Sequence, residues 1–364
     1  MALTEIPMRQ SIRFLKTADG VTLAWAEAGE GPALVKVANW LSHLEYDWDS
    51  PCWRHWMHFF AANYRFIRYD ERGCGMTDWD VGDLSPARWI EDLEAVVDKA
   101  GPAEPFILLG ISQGTAAAIQ FAALHPDKVS HLVLYGGYSQ GWKFRENDAG
   151  RRAYEAIVEL ARFGWGQDNP VFRQLFTSRF LPDATEDQIA WFNELCRRTT
   201  KPDIAARLLQ ARAEVNVADY LARVRAPTLV IHAQDDEVVP LAAGRRLASE
   251  IRDAEFVQLA SRNHILLESE PAWTRFKEIL LDFTGRPPGG ARAEDPVFQV
   301  LSDRERQILA RMGAGESNVE IGKALFISDK TVRNHVTRIF EKLGVSSRAQ
   351  AIVMAHEKGF RGSG

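Results

Sequence analysis

The chain has three cysteines in 364 residues, Cys52, Cys74 and Cys196, too few and too scattered for a disulfide framework. None sits in a C-x-x-C spacing, so no cysteine-bound zinc is expected, and reduced thiols in a cytoplasmic protein are. No run of about 18 apolar residues occurs, so no membrane-spanning helix is expected. The opening stretch MALTEIPMRQSIRF lacks an apolar core of signal-peptide length. Internal repeats are missing as well. Excess charge is small, at −5, but it is unevenly placed. From Pro296 onward 11 Lys/Arg face 7 Asp/Glu, giving +4 and leaving −9 for the rest. A basic tail on an acidic body points to a polyanionic partner for the tail alone.

What is present reads as two domains, because the chain is long for one hydrophobic core. In the first, strands are expected at Ile12–Thr17, Val21–Glu27, Ala33–Ala38, Arg65–Tyr69, Phe106–Ile111, Val129–Tyr135, Thr228–His232 and Glu255–Leu259. Helical segments alternate with most of them, which implies an α/β class with a mostly parallel sheet covered on both faces. From Gly136 to Arg225 helical periodicity alone appears, so a helical cap over the sheet is expected. Thr284–Pro296, TGRPPGGARAEDP, is a Pro/Gly-rich linker separating domains at 1–283 and 297–364.

The stretch Phe106–Gly114, FILLGISQG, organises the body. A buried strand runs into G-x-S-x-G and then into the small residues that open a helix. Such a turn presents its central residue, Ser112, in a strained and accessible position, and side chains in place of the flanking glycines would collide with neighbouring elements. A serine needs a base, and the base an orienting acid. Acids follow the strand Thr228–His232 at Asp235 and Asp236. A histidine, His264, follows the next strand.

On these residues, 12–283 resembles the α/β-hydrolase superfamily, its helical cap included. The resemblance makes His232 through Pro240 the acid segment, with Asp236 the acid and Asp235 the alternative. It makes His264 the base, and it implies an oxyanion hole from the backbone N–H groups of Gln113 and Trp40. The family usually has His-Gly before the second donor, where this chain has Ala38-Asn39. Arg72–Thr77 resembles the family's structural R-G-x-G-x-S turn, which makes Cys74 a packing residue. His43, His55 and His58 lack a carboxylate or cysteine to complete a metal site, so no metal and no cofactor are expected. A serine at the elbow fits acyl transfer on an ester, lactone or related carbonyl compound. Trp40, Trp142 and Trp165 are candidate ligand-binding residues for a flat or aromatic compound, or alternatively core.

The tail reads as four short helices: Leu301–Gly313 with a capping box from Ser302 and Glu305, Ser317–Leu325, Asp329–Leu343 capped by Ser328 and ended by Gly344, and Ser346–Lys358. In the third, Val332, Val336, Ile339, Phe340 and Leu343 share one face, while polar and basic residues share the other, as a groove-reading helix requires. Residues 301–352 resemble the LuxR-type helix-turn-helix, from Leu301-Ser302-x-Arg304-Glu305 through Gly315, Glu320-Ile321, Thr331-Val332 and Lys342-Leu343-Gly344-Val345 to Arg348 and Ala351. The resemblance implies that Arg333, Asn334 and Thr337 face bases and that Lys330, Thr331, His335 and Arg338 position phosphates. Double-stranded DNA is therefore the expected partner of the tail, bound by a homodimer on two half-sites.

Together these readings favour a ligand-responsive transcription regulator whose hydrolase-like body binds a small ester, lactone or related carbonyl compound, with slow hydrolysis of it compatible but not required. The alternative is a working serine hydrolase with a DNA-binding tail. A third reading is a remnant hydrolase fold kept for protein–protein contact.

Overall fold

Eight strands form one sheet in a computed structural model of the chain. It describes residues 8–102, 105–168, 171–285, 296–313, 316–325, 327–357 and 360. Most of the expected linker, Gly315, Phe326 and the helix end Lys358 lie outside them. The chain divides into two compact units, Met1–Gly285 and Arg286–Gly364.

In the first unit the strands are β1 (Ser11–Lys16), β2 (Thr22–Ala28), β3 (Ala33–Lys36), β4 (Arg65–Tyr69), β5 (Phe106–Ile111), β6 (Val129–Tyr135), β7 (Thr228–Ala233) and β8 (Glu255–Leu259). Their order is β1-β2-β4-β3-β5-β6-β7-β8. β1 pairs β2 and β2 pairs β4 antiparallel; every later pairing is parallel. β5 and β7 are buried along their whole length, as their unbroken apolar runs require when helices cover both faces. β3 is shorter than expected, stopping at Lys36, although Val37 N–H still donates to Leu109 O at 2.9 Å.

The cap between β6 and β7 holds the helices Trp142–Arg145, Asp148–Gly164, Val171–Phe180, Glu186–Thr199, Pro202–Ala211 and Ala218–Leu221. Thr185 and Gln188 form a capping box at the start of Glu186–Thr199. Val171–Phe180 follows Asn169-Pro170, a sequence signal for a helix start, and Phe176 and Phe180 on it are buried. Ser85 precedes the helix Pro86–Ala100, but its side chain makes no cap bond; Pro86 and the apolar face around Leu93 suffice to start it.

The second unit has the helices Asp303–Gly313, Asn318–Leu325, Asp329–Leu343 and Arg348–Glu357 around a core that includes Phe298, Ile308, Met312, Ile321, Val332 and Ile339. Ser302 N–H donates to Glu305 Oε2 at 2.8 Å, closing one side of the capping box, and Lys342 Nζ meets the same oxygen at 2.7 Å. The second bond ties the groove-reading helix to the start of the first. Arg348 Nη1 donates to Asn318 Oδ1 at 3.1 Å, a tie between the last helix and the second.

Candidate functional site

Ser112 follows β5 with a φ of 53°, one of three non-glycine residues in the left-handed region among those described. Such a conformation persists only where the surroundings impose it. The neighbours show how. A Cβ on Gly110 would stand 2.7 Å from Thr115 Cα, and one on Gly114 would stand 2.8 Å from Ala38 O. Strand, turn and helix are thus closer together than side chains would permit. Ser112 N–H is held by Tyr135 O at 2.9 Å, which fixes the turn to the end of β6.

His264 arrives from the loop after β8. Its backbone N–H donates to Phe180 O at 2.9 Å, and the Phe180 ring stands edge-on to the imidazole at 5.1 Å. A Cβ on Gly136, the residue after β6, would stand 3.2 Å from His264 Cε1. The ring therefore lies over the end of β6, the strand whose last carbonyl holds Ser112. Nδ1 meets Asp236 Oδ2 at 2.6 Å, and both side chains are about 1% exposed. Asp235 is exposed and takes no part in that contact. The other Asp236 oxygen accepts Val238 N–H at 2.8 Å and Val239 N–H at 2.9 Å. Burial alone would push the Asp236 carboxyl up, but His264 and these amides hold it below the ordinary carboxylate value. His264 Nε2 is buried with no hydrogen-bond partner among the described residues.

The Trp40 backbone N–H, expected from the resemblance to be the second oxyanion donor, already has a partner. Trp40 N–H donates to the Gln113 side-chain oxygen at 2.7 Å. That oxygen also accepts Arg212 Nη2 at 2.8 Å and Nε at 3.2 Å, while Gln113 Nε2 donates to Glu71 Oε1 at 3.0 Å. Arg212 closes the circuit on Glu71 Oε2 at 3.0 Å and lies over the Trp40 ring at 4.3 Å. The carboxamide is held at both ends, so its oxygen is directed at Trp40. Glu71 is fully buried, and burial raises its carboxyl above the ordinary value despite Arg212.

Above Ser112 lies a cavity of about 660 Å³, counting its open mouth. Trp40, Gln113 and Val239 form its sheet side; Trp142, Phe176 and Arg179 belong to the cap side. Of the two alternatives for Trp165, wall or core, the structure has the core: it is not among the residues lining the cavity. It is fully buried one layer back, 5.2 Å from the Trp40 ring and 5.1 Å from Phe176. Trp142 stacks on Tyr154 at 5.4 Å. Sequence reading missed Glu71, Arg179 and Arg212. Glu71 stands beside the recognisable Arg72-Gly73 turn, whereas Arg212, in the stretch QARAE, carries no local signal at all.

His55 Nε2 meets Leu266 O at 2.9 Å, and burial lowers its imidazole to about 4. His43 Nδ1 accepts Tyr46 N–H at 3.2 Å as a helix cap. Burial pushes the Cys74 thiol far up, away from nucleophilic character.

On the helix Asp329–Leu343, Lys330, Arg333, Asn334, Thr337 and Arg338 are exposed, and Thr331 and His335 are half-buried. Val332 and Ile339 are fully buried on the other face. Arg333 pairs with Asp329 one turn earlier.

Comparison with known proteins bears on both units. The family model described as "Serine aminopeptidase, S33" matches residues 54–271, and that described as "Bacterial regulatory proteins, luxR family" matches residues 299–355. The chain is similar to pyrrolizixenacetamide deacetylase of Xenorhabdus hominickii, 25% identical over 236 residues that cover 64% of this chain and 84% of the relative. It is also similar to the transcriptional regulatory protein LiaR of Bacillus subtilis, 35% identical over 130 residues that cover 34% of this chain and 56% of that protein. The enol-lactonase of Burkholderia xenovorans LB400 superimposes with a TM-score of 0.61 at 20% identity, covering 75% of this chain and 100% of that one, a likeness in fold. With a left-handed serine elbow in one unit and an amphipathic basic helix in the other, the chain belongs to the serine aminopeptidase S33 family of α/β-hydrolases and carries a LuxR-type helix-turn-helix DNA-binding unit.

Proposed function

We propose that the protein is a ligand-responsive transcription regulator, a homodimer in which the hydrolase unit receives a small ester, lactone or related carbonyl compound and the helix-turn-helix unit reads DNA. The observation that carries this reading is the Gln113 oxygen on Trp40 N–H. Acyl transfer is driven largely by two preorganised donors at the developing oxyanion, and one missing donor costs about 10²–10³ in rate. A pocket with one donor occupied still binds a carbonyl compound but turns it over slowly, which suits a receptor. Relatives support the ligand class: one is named a deacetylase and another an enol-lactonase.

The Asp236–His264 pair and the strained Ser112 favour a second reading, a working serine hydrolase whose tail localises it. A thermal-shift screen of small carbonyl compounds, followed by binding to genomic DNA fragments selected by the full chain, separates the two. A compound at 100 times its Kd stabilises the folded form by about 2.7 kcal/mol. The receptor reading requires that such a compound also change DNA affinity, since a ligand with equal affinity for both states of a protein shifts nothing. Compounds that bind and leave DNA affinity unaltered would defeat it.

Of the groove-reading helix we expect a split between two kinds of side chain. Arg333→Ala lowers affinity for a selected site by roughly 10–100-fold and relaxes preference at one base position. Lys330→Ala weakens all sequences alike and lowers the slope of log affinity against log salt by about 1. Titrations at several salt concentrations against selected and random duplexes check both.

A further inference from the structure

The charged groups on the cavity wall are of one sign. Arg179 and Arg212 belong to it, and among the described residues no Asp, Glu, Lys or His does. The two arginines differ in what already holds them. Arg212 is buried and bonded to Glu71 Oε2 at 3.0 Å, so an internal carboxylate balances its charge.

Arg179, near the end of the cap helix Val171–Phe180, has no such partner. Its Nε and Nη2 donate to one backbone carbonyl, Glu237 O, at 3.2 and 2.5 Å. A carbonyl carries no charge, and among the described residues no carboxylate oxygen lies within 4.0 Å of the guanidinium. The Glu237 carboxylate faces Arg262, 3.5 Å away, at an exposed position. The Tyr154 ring lies 5.7 Å from the guanidinium carbon and backs it at the wall. Arg179 is half-buried as a residue, and its bonds to Glu237 O lie on the exposed side. Around it the wall is aromatic and aliphatic: Trp142, Phe176, Phe180 and Val238.

An apolar cavity whose wall holds a cation that no described carboxylate contacts discriminates by charge. A carboxylate there gains a charge-assisted bond about twice as strong as a neutral one, in a fork geometry that guanidinium matches. Neutral ligands of the same shape gain only the apolar contact. The geometry points to an anionic ligand: an aromatic or flat carbonyl compound bearing a carboxylate, the carboxylate held by Arg179 and the reactive carbonyl turned toward Ser112. This assignment rests on the receptor reading of the cavity given above and specifies its ligand.

Calorimetry on the full chain with 2-naphthylacetate and its neutral isostere 2-naphthylacetamide tests it. The acid should bind at least ~10-fold tighter than the amide at low salt, and only the acid should weaken as salt rises. Arg179→Gln, whose melting temperature should stay at the parent value, brings the acid down to the amide's affinity and leaves the amide within about twofold, because only the charged bond is lost. Equal affinity in the parent protein overturns the assignment. So does an Arg179→Gln variant that keeps the preference for the acid, and so does failure of both compounds to bind. The receptor reading is judged on separate ground, by whether any bound carbonyl compound alters DNA affinity, so failure of the charge assignment and failure of that reading give different results.

Discussion

Ser112→Ala should abolish labelling of the full chain by a fluorophosphonate probe and cut turnover of p-nitrophenyl acetate by at least ~10³-fold, the scale on which a nucleophile of a triad acts. Gln113→Ala should move turnover the other way. Without the carboxamide, Trp40 N–H is released to a developing oxyanion, and one such donor is worth about 10²–10³ in rate. Part of that gain is offset because Glu71 and Arg212 lose their shared partner, so a rise of roughly tenfold is the expected result. The two variants together separate two accounts of a slow enzyme. If Gln113 restrains the chemistry, its removal accelerates hydrolysis. If it merely braces the loop after β3, removal lowers hydrolysis and melting temperature together. Steady-state assays and melting curves on both variants decide, with ligand binding by Ser112→Ala as the control that the cavity survives.

The parts of this site that were legible in the sequence are the parts fixed by local geometry. Gly110 and Gly114 are readable because the contacts that forbid a side chain there, with Thr115 and with Ala38, follow from any strand that turns sharply into a helix beside a parallel neighbour. Asp236 is favoured over Asp235 only through the resemblance of His232–Pro240 to the family's acid segment; spacing by itself leaves both open, and the contact with His264 is made by Asp236. The recognition face is readable because 3.6-residue spacing alone places Val332 and Ile339 inward and Arg333 and Thr337 outward. The Gln113 circuit was not readable. Its partners are 73 residues away at Trp40, 42 at Glu71 and 99 at Arg212, and no periodicity relates them. Trp165 is left open between wall and core for the same reason. An aromatic after the helix Asp148–Gly164 can line a cavity or stand behind the residue that does, and only the path of the next helix decides. The helix Val171–Phe180 went unseen because its amphipathic pattern is weak and is interrupted by Arg173 and Thr177, which are buried by tertiary contacts; Thr177, for example, bonds Asn193 at 2.6 Å.

Arg72→Met should cost the hydrolase unit about 3–5 kcal/mol, because removing one member of a buried ion pair strands the other in the interior. The pair is well formed. Arg72 Nε and Nη2 meet the two Asp92 oxygens at 2.7 and 2.6 Å, and the side chains are 1% and 2% exposed. Nη1 adds Asp19 Oδ2 and Asp83 O, both at 2.9 Å, and the bond from Arg72 is the main reason the Asp19 carboxyl falls to about 2. Asp92 behaves oppositely: burial raises its carboxyl above the ordinary value even with Arg72 in place. In the variant the raising effect stands unopposed. A carboxyl whose folded pKa lies above its unfolded one binds more protons when folded, so stability falls as pH rises. The deficit of Arg72→Met should therefore be largest near pH 7 and shrink as pH drops toward the ordinary carboxylate range. Urea unfolding at pH 7 and pH 5 reads this directly. Arg72→Met with Asp92→Leu, which removes the stranded charge, should recover most of the loss, and the difference from additivity measures the coupling. A variant equally destabilised at both pH values, with no recovery in the double change, would mean that Arg72 acts through packing of its turn. The consequence reaches the cavity, because Glu71 precedes Arg72 on that turn and holds the Gln113 amide at 3.0 Å. Loosening the ion pair should thus loosen the carboxamide from Trp40, and turnover per folded molecule should rise as stability falls.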